Sequence, residues 1–351
     1  MRQVIFTIHK YLGFTIGFYL IVICATGGAL VLLENQIPDF RDFPMRHVQA
    51  TSKAQSLDAI LATAVRAHPG SHVTHILKSC DSGCTYDVSI ARPDGDRLDV
   101  LVDPNTAQIV GSVLRSQSAI GRLYEFHANL FSGDEGSLIN SVLGSVALLL
   151  VLTGAYMWPG WKRPSRGFSV KWQGDRWRVN FDIHKTIGIV SVAFLVLIIA
   201  SGIAGAFVQE PPVTLSSSTP AHGNQPRSLD ELVADANKAL PGTITMIYPP
   251  ATADSTVVVR EVVAGDPDPY GWSYVSVNRF TGHVVAMNDA AKWPIAWRAY
   301  TWLYPLHVGS AGGYPLRFVY VVVAFAPVAL YLTAFLMWLK RVHHDRTALA
   351  L

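Results

Sequence analysis

Residues 8–28 read IHKYLGFTIGFYLIVICATGG, and residues 183–205 read IHKTIGIVSVAFLVLIIASGIAG. Each opens on a His-Lys pair with a glycine three residues after the lysine, then runs through an apolar stretch that ends in Thr-Gly or Ser-Gly seventeen positions beyond the histidine. A run of this length matches the roughly 20 helical residues needed to cross a hydrocarbon core of about 30 Å. Two more runs share the property, so the expected spans cover about 10–33, 138–158, 184–208 and 317–339. Half of the 351 residues are hydrophobic and only 15% are charged, which excludes an ordinary soluble chain. A leader peptide does not explain the first span. Its apolar run is longer than a signal core, and its counterpart lies in mid-chain.

Lysine and arginine orient the spans. The segment between the second and third carries Lys162, Arg163, Arg166, Lys171, Arg176 and Arg178, and Lys340, Arg341 and Arg346 follow the fourth. Both ends of the chain should therefore face the cytoplasm. The net charge of +3 reflects that bias and gives no reason to propose nucleic acid. The polar blocks near 34–118 and 210–292 lie outside, in a periplasm where the cell has two membranes. There Cys80 and Cys84, in KSCDSGCTY, are candidates for a disulfide closing a hairpin. Cys24 reads as a small apolar residue within a helix.

The chain repeats itself. SLDAILATAVRAHPG begins at Ser56 and SLDELVADANKALPG at Ser228; LVDPNTAQIVG at Leu101 answers SVNRFTGHVVA at Ser276. A helix pattern, a Pro-Gly stop, strand residues and a turn before the last strand predict a small α+β module in each block. LYEFH at 123–127 is matched by LYPLH at 303–307, and each histidine precedes a Met-Trp tryptophan by 31 positions, Trp158 and Trp338. The fold expected is thus membrane α-helical, four transmembrane helices with an internal duplication about a pseudo-twofold axis along the membrane normal, plus two small α+β modules. The segments are 1–34 (cytoplasmic end and first span), 35–118 (first module), 119–160 (interfacial helix and second span) and 161–183 (basic loop). They continue as 184–209 (third span), 210–292 (second module), 293–342 (interfacial segment and fourth span) and 343–351 (tail). Pro327 and Ala334, where the first copy has Gly154, break the symmetry of the fourth span. The dense aromatic group from Trp293 to Tyr304 reads mainly as an interfacial belt.

Four of the twelve histidines recur at the spans: His9 and His184 at one face, His127 and His307 at the other. A lone interfacial histidine is commonly a hydrogen-bonded or snorkelling side chain. Repetition favours ligation. Two imidazoles leave a tetrahedral zinc two ligands short, whereas a haem iron lacks only two axial ligands. Gly13 and Gly188 lie one turn beyond His9 and His184, where a flat macrocycle could approach the backbone; Gly13 and Gly17 equally describe a helix-packing face. Lys10, Lys185, Arg122 and Arg298 are candidates to meet propionates, or simple interfacial anchors. Without a CxxCH motif the haems would be b-type. His68, His72 and His75 read as a solvated loop.

These phrases resemble a known family. His-Lys-x-x-Gly opening spans one and three, LYEFH and LYPLH before spans two and four, a TG-x-x-x-W ending and SLDE-type modules are similar to the PepSY-associated transmembrane proteins of bacterial inner membranes. The resemblance covers nearly the whole chain. It implies PepSY-like periplasmic modules and a reductase of ferrioxamine-type siderophores carrying two bis-histidine haem b groups, with His9, His184, His127 and His307 as axial ligands bound to iron. Electrons from a quinol or a cytoplasmic reductant would pass from the haem at His9 and His184 to that at His127 and His307, then to a ferric siderophore in the periplasm. Membrane lipid surrounds the spans. The competing expectation is a non-enzymatic regulator or sensor, or a component of a siderophore transport assembly.

Overall fold

A long apolar run in a membrane must satisfy its own backbone groups, and helix is how a single segment does so. The computed structural model describes residues 1–36, 48, 54–78, 83–207, 225–250 and 256–349. In chain order its helices are α1 (Arg2–Gln36), α2 (Leu57–Ala67), α3 (Ala119–Asn129), α4 (Gly133–Met157), α5 (Pro164–Phe168) and α6 (Arg176–Phe207). They continue with α7 (Leu229–Ala239), α8 (Ile295–Tyr300), α9 (Leu303–Val308), α10 (Gly313–Ala324) and α11 (Ala326–Leu349). The strands are β1 (His72–Leu77), β2 (Tyr86–Ala91), β3 (Arg97–Val102), β4 (Ile109–Leu114), β5 (Thr243–Tyr248), β6 (Val257–Val262), β7 (Ser273–Val277) and β8 (Val284–Asn288). These elements sort into a helical unit, Met1–Leu32 with Leu123–Val208 and Leu306–Leu351, and a sheet unit, Leu33–Arg122 with Gln209–Pro305.

In the helical unit, four stretches are long and apolar enough to cross a membrane: Arg2–Leu33, Gly133–Met157, Arg176–Phe207 and Ser310–Arg341. Two boundaries differ from the sequence reading. First, α1 and α6 begin about two turns before His9 and His184, so the basic loop expected to reach 183 ends near 175. The reason is visible in α6, where polar residues support the added turns. Asp182 is fully buried and accepts Lys185 at 2.6 Å and Arg178 at 3.2 Å, pairs spaced three and four along the helix. Second, the fourth stretch is two helices. α10 gives way to α11 at Phe325, with Pro327 in the first turn of α11, where its missing N–H has no intrahelical partner to lose. Ala147 stands as far beyond His127 as Pro327 does beyond His307, and α4 runs through it unbroken.

Small residues set the spacing of the helices. A Cβ at Gly17 would come 2.9 Å from the Tyr331 ring, and one at Gly28 would come 2.8 Å from Ala324. α1 therefore lies against α10 and α11. Gly17 serves the packing role that the sequence offered it. Cys24 is a free thiol, half-buried against the Val151, Leu195 and Val323 cluster.

The sheet unit is more unified than expected. Instead of two separate modules, β1–β4 and β5–β8 share one eight-stranded sheet in the order β4-β3-β2-β1-β5-β6-β7-β8. The halves join where β1 pairs antiparallel with β5, Ile76 opposite Ile247 and Leu77 opposite Met246. α2 and α7 cover one face. Ser56 and Ser228 cap them as the SLD phrases predict, each accepting from the N–H three residues on. The caps also cross over: Asp58 accepts from Leu229 N–H at 2.8 Å and Asp230 from Leu57 N–H at 2.9 Å. Beneath them Ile60, Ile76, Val88, Val100, Leu232, Ile247, Val259 and Val275 form a buried core.

The opposite sheet face is polar yet buried. In the first half Ser89 donates to Asp99 at 2.7 Å, with Arg115 3.6 Å from the same carboxylate. In the second half Arg260 donates to the Gly271 carbonyl and lies over the Trp272 and Tyr274 rings. The aromatic segment read as a membrane belt is partly tied here: Trp293 donates to Asn288, Tyr300 meets Trp272 edge-on at 4.9 Å, and Tyr304 faces Tyr270. Cys84 is disulfide-bonded; Cys80, its expected partner, lies outside the described residues.

Candidate functional site: two facing histidine pairs

The four repeated histidines meet in pairs, one from each half of the chain. His9 on α1 and His184 on α6 have ring centres 6.5 Å apart, with an interplanar angle of 85°. His127 on α3 and His307 on α9 have ring centres 6.1 Å apart, at 45°. Two imidazoles that grip one metal from opposite sides, at about 2 Å per metal–nitrogen bond, place their ring centres about 6 Å apart. Both separations match. The pairs occupy two levels, because the helix position that serves the second pair lies seventeen residues, about 25 Å, along α1 and along α6 from His9 and His184.

Each imidazole is aimed by the same device. His9 Nδ1 lies 3.2 Å from the Leu150 carbonyl and 3.1 Å from Thr153 Oγ1. His184 Nδ1 lies 2.8 Å from Thr333 Oγ1, and the imidazole also interacts with the Leu330 backbone. His127 Nδ1 lies 3.0 Å from Thr26 Oγ1, and the imidazole also interacts with the Ile23 backbone. His307 Nδ1 lies 2.9 Å from the Ile198 carbonyl and 3.4 Å from Ser201 Oγ. In every case the partners are the backbone of a span residue and a hydroxyl three residues later. Partners are reciprocal within each half: α1 carries His9 and holds His127, while α4 holds His9.

Donor accounting then settles the tautomer. Each hydroxyl already donates its one hydrogen to its own helix, Thr26 to Ile23, Thr153 to Leu150, Ser201 to Leu197 and Thr333 to Ala329. Toward the imidazole it can only accept, as can the carbonyl. Nδ1 must carry the proton, so Nε2 keeps a lone pair, the form in which imidazole ligates a metal.

The glycines beside these hydroxyls make room for the rings. A Cβ at Gly27 would sit 2.9 Å from His127 Cε1, one at Gly154 2.9 Å from His9 Cε1, and one at Gly202 2.7 Å from His307 Cε1. Sequence reasoning noticed the Thr-Gly and Ser-Gly repeats but did not assign them this task. Their signal was the constant offset from the histidines. Gly13 and Gly188 do not touch the imidazoles; a Cβ there would meet only Leu150 at 4.0 Å or Leu330 at 3.7 Å, which leaves space on the histidine face. Tyr19 donates to Asn140, whose amide holds the His127 carbonyl at 2.8 Å, and Tyr320 donates to the Leu306 carbonyl, so both short histidine helices are pinned to a span.

The four candidate cations part company. Lys185 is committed: buried, it pairs with Asp182 and donates to the Arg166 and Ser169 carbonyls, tying α5 to α6. Three acceptors thus already satisfy its three N–H donors. Lys10 faces no acid among the described residues, since Thr7 stands where α6 has Asp182, and its ammonium lies 4.3 Å from the Tyr11 ring centre. Arg122 and Arg298 belong to the sheet unit, Arg298 exposed. Among the described residues no group of three or more His, Cys, Asp or Glu gathers into a metal-sized cluster, so neither pair has the donors for a bare tetrahedral ion.

No curated protein is similar enough to the chain to match it. The model of the PepSY-associated TM region matches residues 6–341, almost the entire sequence. With four apolar helices and that match, this chain is a multi-pass membrane protein and belongs to the PepSY-associated transmembrane family.

Proposed function

We propose that the protein is a haem b electron-transfer protein of a bacterial inner membrane, reducing ferric siderophores or similar chelates in the periplasm. In this reading the chain is internally duplicated about an axis along the membrane normal, both ends are cytoplasmic, and the sheet unit is a fused pair of PepSY-like modules outside. The observation that carries it is the matched geometry of the two imidazole pairs, each with Nδ1 spent on a span and Nε2 left for a metal. A porphyrin supports the donor count, since it provides four nitrogens and each pair the remaining two. His9 and His184 would hold one haem, His127 and His307 the other. Bound there, each haem would supply a one-electron carrier with no open axial position, which favours electron transfer over oxygen chemistry.

The residues around the imidazoles do the rest. Thr26, Thr153, Ser201 and Thr333 hold the rings at fixed angles, and apolar spans exclude water from both levels. Lys10 is the uncommitted cation for a propionate at the His9 level. Reduction also suits iron release: hard oxygen donors hold the ferric ion far better than the softer ferrous ion.

Haem stoichiometry with reduced-minus-oxidised spectra tests this directly. Expression with ample haem should yield two haems per chain, and His127→Ala and His184→Ala should each lose one. A purified protein with no Soret band overturns the reading in favour of a non-enzymatic membrane regulator; unchanged haem content in both variants overturns the pairing.

A further inference from the structure

Glu261 on β6 is fully buried, and among the described residues neither carboxylate oxygen has a hydrogen-bond partner. Its place in the fold makes this unusual. In the second half of the sheet Glu261 is paired with Ile244 on β5 and Ser273 on β7; in the first half Ile90 is paired with Val73 on β1 and Leu98 on β3. The two residues hold the same register position, and the first half fills it with a core isoleucine that is 1% exposed. A carboxyl group therefore stands where packing alone asks for a hydrocarbon.

Glu261 projects from the same face of β6 as the core residues Val257 and Val259, toward the end of α7. A Cβ at Gly242, in the turn after α7, would lie 3.1 Å from Glu261 Oε2, so this turn passes directly over the carboxyl. The turn is itself fastened by Gly242 N–H donating to Asn237 Oδ1. Among the described residues, no charged group faces Glu261 from the elements around it. β5 and β7 carry none, and Arg260 projects from the opposite face of β6. On α7, Asp230 accepts from Leu57, Glu231 and Asp235 hold Arg227, and Lys238 is exposed.

We propose that Glu261 is a proton-binding site in the core of the sheet unit, whose ionisation loosens the packing of α7 and its following turn on β5, β6 and β7. An unpaired carboxylate in an apolar site is far costlier than the neutral acid, so the folded core holds the protonated form. Burial pushes the carboxyl up to about 7 from its ordinary 4.5. A folded-state pKa raised in this direction gives stability that is fully present below about 4.5 and is lost as pH rises through about 7. The second half of the sheet thus carries a carboxyl at a core position that the first half fills with Ile90. This inference is independent of haem.

Hydrogen exchange of the full-length protein in detergent, corrected for intrinsic rates, reads the effect with an internal control. From pH 5 to pH 8 the opening constant of amides in α7, β6 and β7 should rise about a hundredfold in the wild type. Amides in α2, β2 and β3 should show no comparable rise. Glu261→Gln, which cannot ionise, and Glu261→Ile, which copies the first half, should both flatten the pH dependence of the second half. A rise of equal size in wild type and Glu261→Gln overturns the proposal, and so does a wild type whose two halves respond alike. Should the isoleucine variant fail to fold, the near-isosteric glutamine variant decides the matter.

Discussion

The helical unit and the sheet unit each contain two stretches of related sequence, but what matches between them is opposite in the two units. In the helical unit the polar atoms match. Four histidines each meet the backbone of a span residue and a hydroxyl three residues later, and the surroundings differ freely: Asn140 in one half against Tyr320 in the other, Tyr19 against Phe194, Thr7 against Asp182. In the sheet unit the apolar core matches and the polar atoms differ. Ser89 beside Asp99 in one half becomes Arg260 beside Tyr274 in the other, and Ile90 becomes Glu261. On the proposed haem reading, two imidazoles sharing one metal need identical donors at identical reach, which would constrain every atom that aims them. A sheet core needs only volume and period, so its polar chemistry can diverge between halves.

Three pairs of substitutions would break or sharpen this contrast. The largest effect is expected at the one buried ion pair of α6. Asp182→Asn strands the Lys185 ammonium in a buried site and should cost about 3–5 kcal/mol of stability. Lys10→Met, at the equivalent place with no acid opposite, should stay within about 0.5 kcal/mol. Denaturation midpoints in one detergent measure both, and equal losses would show that the halves do not differ here. An intermediate effect belongs to the histidine partners. Thr153→Val removes one acceptor from His9 Nδ1 and, if the proposed haem is held there, should weaken its retention by about tenfold or more, with Thr153→Ser restoring it. Retention that is unchanged in the valine variant would mean that the carbonyl alone aims the ring. The smallest effect is in the turn before the last strand of each half. Ala107 has a left-handed φ of 54° where the second half has Gly282 at 73°. Ala107→Gly should therefore stabilise by about 0.5–1 kcal/mol. Gly282→Ala should destabilise, since its Cβ would collide with the Arg227 guanidinium. Thermal unfolding that moves both variants in one direction would refute the assignment.

Much of this was legible in the residues. The Ser caps, the Pro-Gly stops, the four spans and the four histidines all follow from local signals: hydropathy over a window, a capping side chain near its own helix, a repeated offset. The misreadings share a cause. Lys185 looked like Lys10 because both follow a histidine; Asp182, one turn earlier on the same helix, was there to be read, but the Arg166 and Ser169 carbonyls reach the ammonium only after the chain folds back. Tyr300 and Tyr304 looked like membrane belt, and they pack on sheet residues distant in sequence. Gly27, Gly154 and Gly202 were visible as repeats, but their task depends on which ring arrives opposite.

The amino-acid sequence alone determined the helices, the family and the identity of the histidines, because hydropathy, periodicity and repetition are properties of neighbouring residues. Tertiary structure alone decided which hydroxyl aims which imidazole, that eight strands share one sheet, and that a glutamate lies where an isoleucine would pack. Those outcomes depend on the direction of side chains that meet across a hundred or more residues, and no local pattern encodes the direction from which a distant partner approaches.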